Sequence, residues 1–141
     1  MSEYLDTSIL VALFVDSDPF TERAKNYLSG RIERLVVSDF AAAEFASVMA
    51  RLTRTRRLTV DEATAILGDF DTWKGRAAEL ATTSAADIAA AASFLRRLDL
   101  NLRTPDAINI AIADRLRATL ATFDDRMAIA ARALGVQVAS V

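Results

Sequence analysis

Glu3-Tyr4-Leu5-Asp6-Thr7-Ser8-Ile9-Leu10 is the stretch on which the fold turns. Residues 3–6 read as a short strand, and a helix follows at once from Thr7 to about Val15. The same alternation recurs outward. Asp18-Pro19 opens a second helix to about Ser29, with Gly30 as its stop signal. Leu35-Val36-Val37 reads as a buried strand, and Ser38 caps a long helix to about Thr55. Thr59-Val60-Asp61-Glu62 carries a capping box. Glu79–Thr82 is a weaker strand, and Ser84 caps a helix to about Leu98. A Thr104-Pro105-Asp106 helix runs to about Arg117, before a strand over 118–123 and a helix over 125–134. Gly135 ends that helix, and Val136–Ala139 is the last expected strand. Strands separated by helices imply an α/β three-layer sandwich, a central parallel sheet with helices on both faces. No linker or repeat divides residues 1–141, so one domain is expected.

Composition narrows the chemistry. The chain has 141 residues, 52% of them hydrophobic, long enough to bury roughly two thirds of its unfolded surface. It has no Cys and no His. It therefore supplies no thiolate nucleophile, Ser-His-Asp triad or Cys/His zinc site. The absence of disulfides, the acidic Glu3 near the start and the short apolar run Ile9–Val15 point to a cytoplasmic protein without a membrane span. Net charge is −2, so the whole molecule does not attract nucleic acid. All the basic residues except Lys25 and Lys74 are Arg, which suits bidentate phosphate contacts or simply a solvated surface.

Three acids stand where elements begin or end, and a fourth, Glu44, lies on the apolar stripe of a helix. Asp6 closes the first strand, at the sheet edge where open α/β folds hold ligands, but an Asp there is also a common helix cap. Thr7 or Ser8 could cap the helix instead and free it. Glu44 aligns at i±4 with Phe40 and Val48, the face expected to pack on the sheet; there an ionised carboxylate costs several kcal/mol unless paired or metal-bound. Reaching solvent from the edge of the stripe is the alternative. Asp106 follows Pro105 in a first turn, where Thr104 as the cap would leave it complementing the helix dipole. Asp124, with Asp125 beside it, ends a strand and could cap the next helix. Singly, three of the four are explained as capping acids. Jointly they form an oxygen-donor set suited to Mg²⁺ or Mn²⁺ and to phosphodiester chemistry.

In this order and these contexts the acids resemble the PIN-domain family, most nearly the VapC toxins of toxin–antitoxin pairs. The matching blocks are Tyr4-Leu5-Asp6-Thr7-Ser8, Ala43-Glu44, Thr104-Pro105-Asp106-Ala107 and Leu120-Ala121-Thr122-Phe123-Asp124, with Ala131, Gly135 and Val136 spaced as in the family's end. The resemblance implies a metal-dependent endoribonuclease that cuts transfer or ribosomal RNA and halts translation. It implies that Asp6, Glu44, Asp106 and Asp124 bind Mg²⁺ or Mn²⁺, with Ser8 and Thr122 supporting them; Thr7 and Asp125 lie beside the same groups. It also implies a VapB-type antitoxin partner, a homodimer, and contact with promoter DNA only through the antitoxin.

Four acids repel phosphate, so substrate grip needs cations. Arg51, Arg54, Arg56 and Arg57 are the expected RNA contacts, although cations in a last turn equally suit the helix dipole. Arg96, Arg97 and Arg103 form a second candidate rim. The rival classes are a catalytically silent PIN-like binding module and a Mg²⁺-dependent phosphatase. A haloacid-dehalogenase-like phosphatase needs a second Asp two residues after its nucleophile, and position 8 is Ser. Gly30, Gly68, Gly75 and Gly135 are isolated, so there is no phosphate-cradling loop.

Overall fold

The computed structural model describes residues 1–141, and its element order follows from where apolar runs meet caps. The strands are β1 (Ser2–Leu5), β2 (Arg34–Ser38), β3 (Ala78–Ala81) and β4 (Thr119–Ala121). The helices are α1 (Thr7–Phe14), α2 (Thr21–Leu28), α3 (Asp39–Arg54), α4 (Val60–Ala77), α5 (Ala85–Leu95), α6 (Thr104–Arg115) and α7 (Asp125–Ala133). The sheet order is β3-β2-β1-β4, and every pairing is parallel. The expected helix-covered parallel sheet is the observed one.

Alternation along the strands fills two cores. Tyr4, Val36 and Leu120 point to one face, against α5, α6 and α7. Leu5, Val37 and Ala121 point to the other, against α1, α2, α3 and α4. On that second face Phe14 meets Phe45, Phe70 and Trp73 edge-on, at 5.9, 5.6 and 5.5 Å between ring centres. On the first, Asp106 through Ala113 of α6 are all buried, so this helix is enclosed on every side rather than amphipathic.

Three boundaries differ from expectation. The helix placed at Asp18-Pro19 begins only at Thr21. Asp18 instead closes a turn, accepting the Phe20 N–H at 2.8 Å, and Thr21 anchors the chain by donating to the Val15 carbonyl. Val136–Ala139 is not a strand. It contributes one parallel bridge, Leu120 to Val138, with hydrogen bonds at Gln137 and Ala139. Gly135 has φ +84°, and the Val136 N–H returns to the Ala131 carbonyl, so the helix end turns the chain alongside β4 for too short a run to build a ladder. The helix at Thr104 is capped by Arg103, one residue earlier than expected, which puts Asp106 at its third position.

α5 packs chiefly on α6, and one ion pair locks them. Arg115 donates to both oxygens of Asp87, at 2.7 and 2.9 Å, and to the Thr82 carbonyl. Burial raises the Asp87 carboxyl, but the Arg115 and Ser84 hydrogen bonds outweigh it and hold the group below the usual carboxylate range. Asp87→Asn should therefore cost about 2–3 kcal/mol at neutral pH, less than breaking a fully buried pair because Arg115 still reaches water. A depressed pKa contributes stability above the unfolded carboxylate value, near 4, and loses it as pH falls. The gap between the urea midpoints of wild type and variant should narrow on acidification below that point.

Candidate active site

All four strands run the same way, so their carboxyl ends open on one edge of the sheet, and that edge carries the acids. Asp6 leaves β1 in extended backbone and caps α1, accepting the Ile9 N–H at 3.1 Å on Oδ1. Ser8 donates to the same oxygen and Thr122 to Oδ2, both at 2.6 Å. These hydroxyls also accept from the chain beyond β4: Ser8 Oγ from the Phe123 N–H and Thr122 Oγ1 from the Asp124 N–H, each at 2.9 Å. Asp6 is thus both cap and hub, and Ser8 serves it rather than replacing it. Its carboxyl is buried, which pushes its pKa up to about 6 against the hydrogen bonds, and the charge of Glu44 adds to the rise.

Glu44 sits at the side of the packed stripe, not on it. The buried positions of α3 are Ala41, Phe45 and Met49, and Glu44 is only half-buried, in the cleft between α1, α3 and α6. Both of its hydrogen bonds fall on Oε1, from Thr7 at 2.9 Å and from the Asn109 amide at 2.8 Å. Oε2 accepts none. Burial raises this carboxyl too; Asn109 and Thr7 oppose the rise, Asp106 reinforces it and Arg103 opposes it.

Asp106 Oδ2 accepts the Arg103 N–H at 3.3 Å, and the Arg103 Nε lies 3.4 Å from it. Asp124 Oδ1 caps α7 through the Arg126 and Met127 N–H groups, at 3.0 and 3.2 Å. Its Oδ2 lies 4.0 Å from Nη2 of Arg103. Asp125 is exposed, makes no hydrogen bond, and lines a neighbouring cleft with Arg23 and Arg132 instead of joining the four.

Asn109 escaped the sequence reading. It is fully buried in α6, where its Oδ1 accepts from the Tyr4 hydroxyl at 2.6 Å; that hydroxyl in turn lies 2.6 Å from Ser38 Oγ. Its amide also donates to the Pro105 carbonyl, at 3.0 Å. Burial raises the Tyr4 phenol above its ordinary value, so it stays a donor, and the chain Ser38–Tyr4–Asn109–Glu44 has one direction. The signal was present: one Asn inside Ala107-Ile108-Asn109-Ile110-Ala111-Ile112 is a polar side chain in an apolar helix, which demands a partner.

Of the four arginines expected to hold RNA, only Arg51 reaches the site. It borders a cleft of about 390 Å³ with Thr7, Ser8, Phe20, Phe123 and Asp124. Arg54 lies ten residues beyond Glu44, about 15 Å further along the axis, and Arg56 and Arg57 turn away past the helix end, Arg56 at φ +58°. Arg97 pairs with Asp99, and Arg96 is exposed.

No three acidic side chains are arranged here to grip one ion. The donor set nonetheless fits a hard divalent cation. It is all oxygen, its buried Asp6 has a disfavoured ionised form, and a guanidinium already stands between two members.

The family model of the PIN domain matches residues 4–133. The chain belongs to the PIN-domain family. It is 33% identical over 133 residues to Ribonuclease VapC26 of Mycobacterium tuberculosis, covering 93% of each chain. Among solved structures it is similar to M. tuberculosis VapC20, described as a toxin that cleaves the sarcin-ricin loop: TM-score 0.77, 20% identity, covering 99% of this chain and 100% of that one. It is also similar to VapBC2 of Rickettsia felis bound to a fragment of its promoter DNA: TM-score 0.71, 15% identity, covering 99% and 98%. These two likenesses concern the fold.

Asn109→Ala should leave Glu44 with Thr7 alone and the Tyr4 hydroxyl with Ser38 as its one partner, costing about 1–3 kcal/mol in urea unfolding. Asp6→Asn keeps the cap but removes a buried charge from the acid group. In EDTA this variant should unfold at higher urea than wild type, by about 1 kcal/mol. Excess Mn²⁺ should then raise the melting temperature of wild type and not of the variant.

Proposed function

We propose that this PIN domain is a metal-dependent endoribonuclease, the toxin of a toxin–antitoxin pair, acting in the cytoplasm on transfer or ribosomal RNA. One observation carries it: Glu44 is held through Oε1 only, so Oε2 is a fixed, unengaged base of raised pKa beside three further carboxylates. The 33% identity to a ribonuclease over nearly the whole chain supports the same reading.

In this account Asp6, Asp106 and Asp124 would hold Mg²⁺ or Mn²⁺, with Glu44 as ligand or as base. The bound ion would supply charge relief at the phosphate and a more acidic water. The protein's own part is positional. Thr7 and Asn109 hold Glu44 through Oε1, leaving Oε2 unengaged and able to accept the proton of an attacking water. Ser8, Thr122 and the Ile9 N–H fix Asp6 in place at both oxygens. The buried Ser38–Tyr4–Asn109 chain fixes the Asn109 side chain whose amide holds Oε1.

The fold neighbours include toxin–antitoxin complexes, one of them on promoter DNA. On that basis the partner is a VapB-type antitoxin, with promoter contact made through it, and the toxin is a homodimer. No helix of the chain is long and apolar enough to cross a membrane.

Incubation of purified protein with structured RNAs and Mn²⁺ should give internal cleavage. EDTA, Asp6→Asn and Glu44→Gln should each lower it about 10²-fold or more. Binding without cleavage would favour a silent RNA-binding module, and phosphate release from a small ester with RNA spared would favour a phosphatase. Cleavage surviving both EDTA and Asp6→Asn would overturn the metal site.

A further inference from the structure

Arg103 is the one cation of this chain that pairs with any of the four acids, and it spans two of them. We propose that it is the pocket's exchangeable counter-ion: its guanidinium neutralises Asp106 and Asp124 in the metal-free protein, yields that place to a divalent cation, and then receives a phosphate of the RNA backbone. The inference rests on the nuclease reading for its last limb only.

The geometry distinguishes a held cation from a hovering one. The structural pair Arg115–Asp87 closes to 2.7 and 2.9 Å on a carboxylate 1% exposed. Arg103 approaches Asp106 only to 3.4 Å and Asp124 to 4.0 Å, and its side chain is 73% exposed. Charge-assisted hydrogen bonds normally close to about 2.7–2.9 Å, so this guanidinium is attracted without being locked. Its backbone is anchored independently, since the Arg103 N–H on Asp106 Oδ2 is a helix-cap bond that needs no side chain. The side chain can therefore leave while the cap stays.

The exchange also has a reason. The acids crowd together, and the internal cation offsets negative charge at two of them, the buried Asp106 and the more open Asp124. A divalent ion entering there meets a like charge at close range, and the repulsion is relieved only if the guanidinium moves out. Once out, it stands at the mouth of an acidic cleft that otherwise repels RNA, with a planar donor fork suited to phosphate.

The test uses full-length protein in a Glu44→Gln background, which prevents cleavage, with and without Arg103→Gln. Calorimetry with Mn²⁺ should show about tenfold tighter binding after Arg103→Gln. Fluorescence anisotropy with a labelled RNA hairpin in saturating Mn²⁺ should show about tenfold weaker binding, with the salt slope reduced by about one. Arg103→Lys, which keeps the charge, should leave Mn²⁺ affinity near the parent and restore RNA affinity in part. A merely structural Arg103 would lower both affinities together or neither, and either result overturns the proposal. So does RNA affinity that stays unchanged while Mn²⁺ tightens. Wild-type protein that cuts no RNA but shows the Mn²⁺ shift would count against the nuclease reading and leave the counter-ion intact.

Discussion

Four acids gather at one sheet edge, and the burial of Asp6 and Glu44 among them, which disfavours their charged forms, is the constraint to which the surrounding structure answers. No element supplies a buried cation for them. The fold instead divides the work between the oxygens of each group. Asp106 and Asp124 each commit one oxygen to a helix N-terminus, and Glu44 commits one to Thr7 and Asn109. The second oxygen of each accepts no hydrogen bond. Asp6 is the exception, engaged at both oxygens and the most buried. Helix dipoles and hydroxyl donors thus keep the acids in place without saturating them.

This division dissolves the choice between a capping acid and a functional one. A cap bond uses one lone pair, and a carboxylate has several. Asp124 caps α7 with Oδ1 while Oδ2 faces the cleft. A cap bond also orients the carboxylate, because it holds one oxygen against the N–H groups of the first turn. The parallel sheet makes this possible, since every strand delivers its helix start to the same edge.

Much of this was legible in the sequence. Strand, cap and apolar helix alternate clearly enough to give the layers, the parallel sheet and the positions of Asp6, Asp106 and Asp124 at element ends. Glu44 was legible as an anomaly, but its reason was misplaced. Alignment with Phe40 and Val48 suggested the packed face, whereas Ala41, Phe45 and Met49 are the buried stripe. Helical spacing gives a face only to within a residue, and small alanines left the choice open. Val136–Ala139 failed as a strand because apolar composition cannot say how many residues a chain end will pair. Of the arginine cluster, only Arg51 lines the cleft; Arg54, Arg56 and Arg57 share its sequence neighbourhood but not its place there. Asn109 was missed because its partners Tyr4 and Glu44 lie far along the chain, where helical spacing gives no signal.

The two raised carboxyls show how the site differs from the rest of the molecule. Asp87 and Arg115 are matched, and the pair lowers the acid's pKa; folding and ionisation favour one another. At Asp6 the sign is opposite. Burial and a neighbouring charge raise its pKa, so folding and ionisation oppose one another. A site left in that condition is a demand for positive charge. Folding alone does not meet it, since the only cation paired with the acids is a solvent-exposed guanidinium at long range. The acids thus face a positive charge that the fold itself supplies only loosely. The loose fit of Arg103 is therefore what keeps the pocket open, because a tight internal ion pair would have satisfied the acids and closed the site to any other ligand.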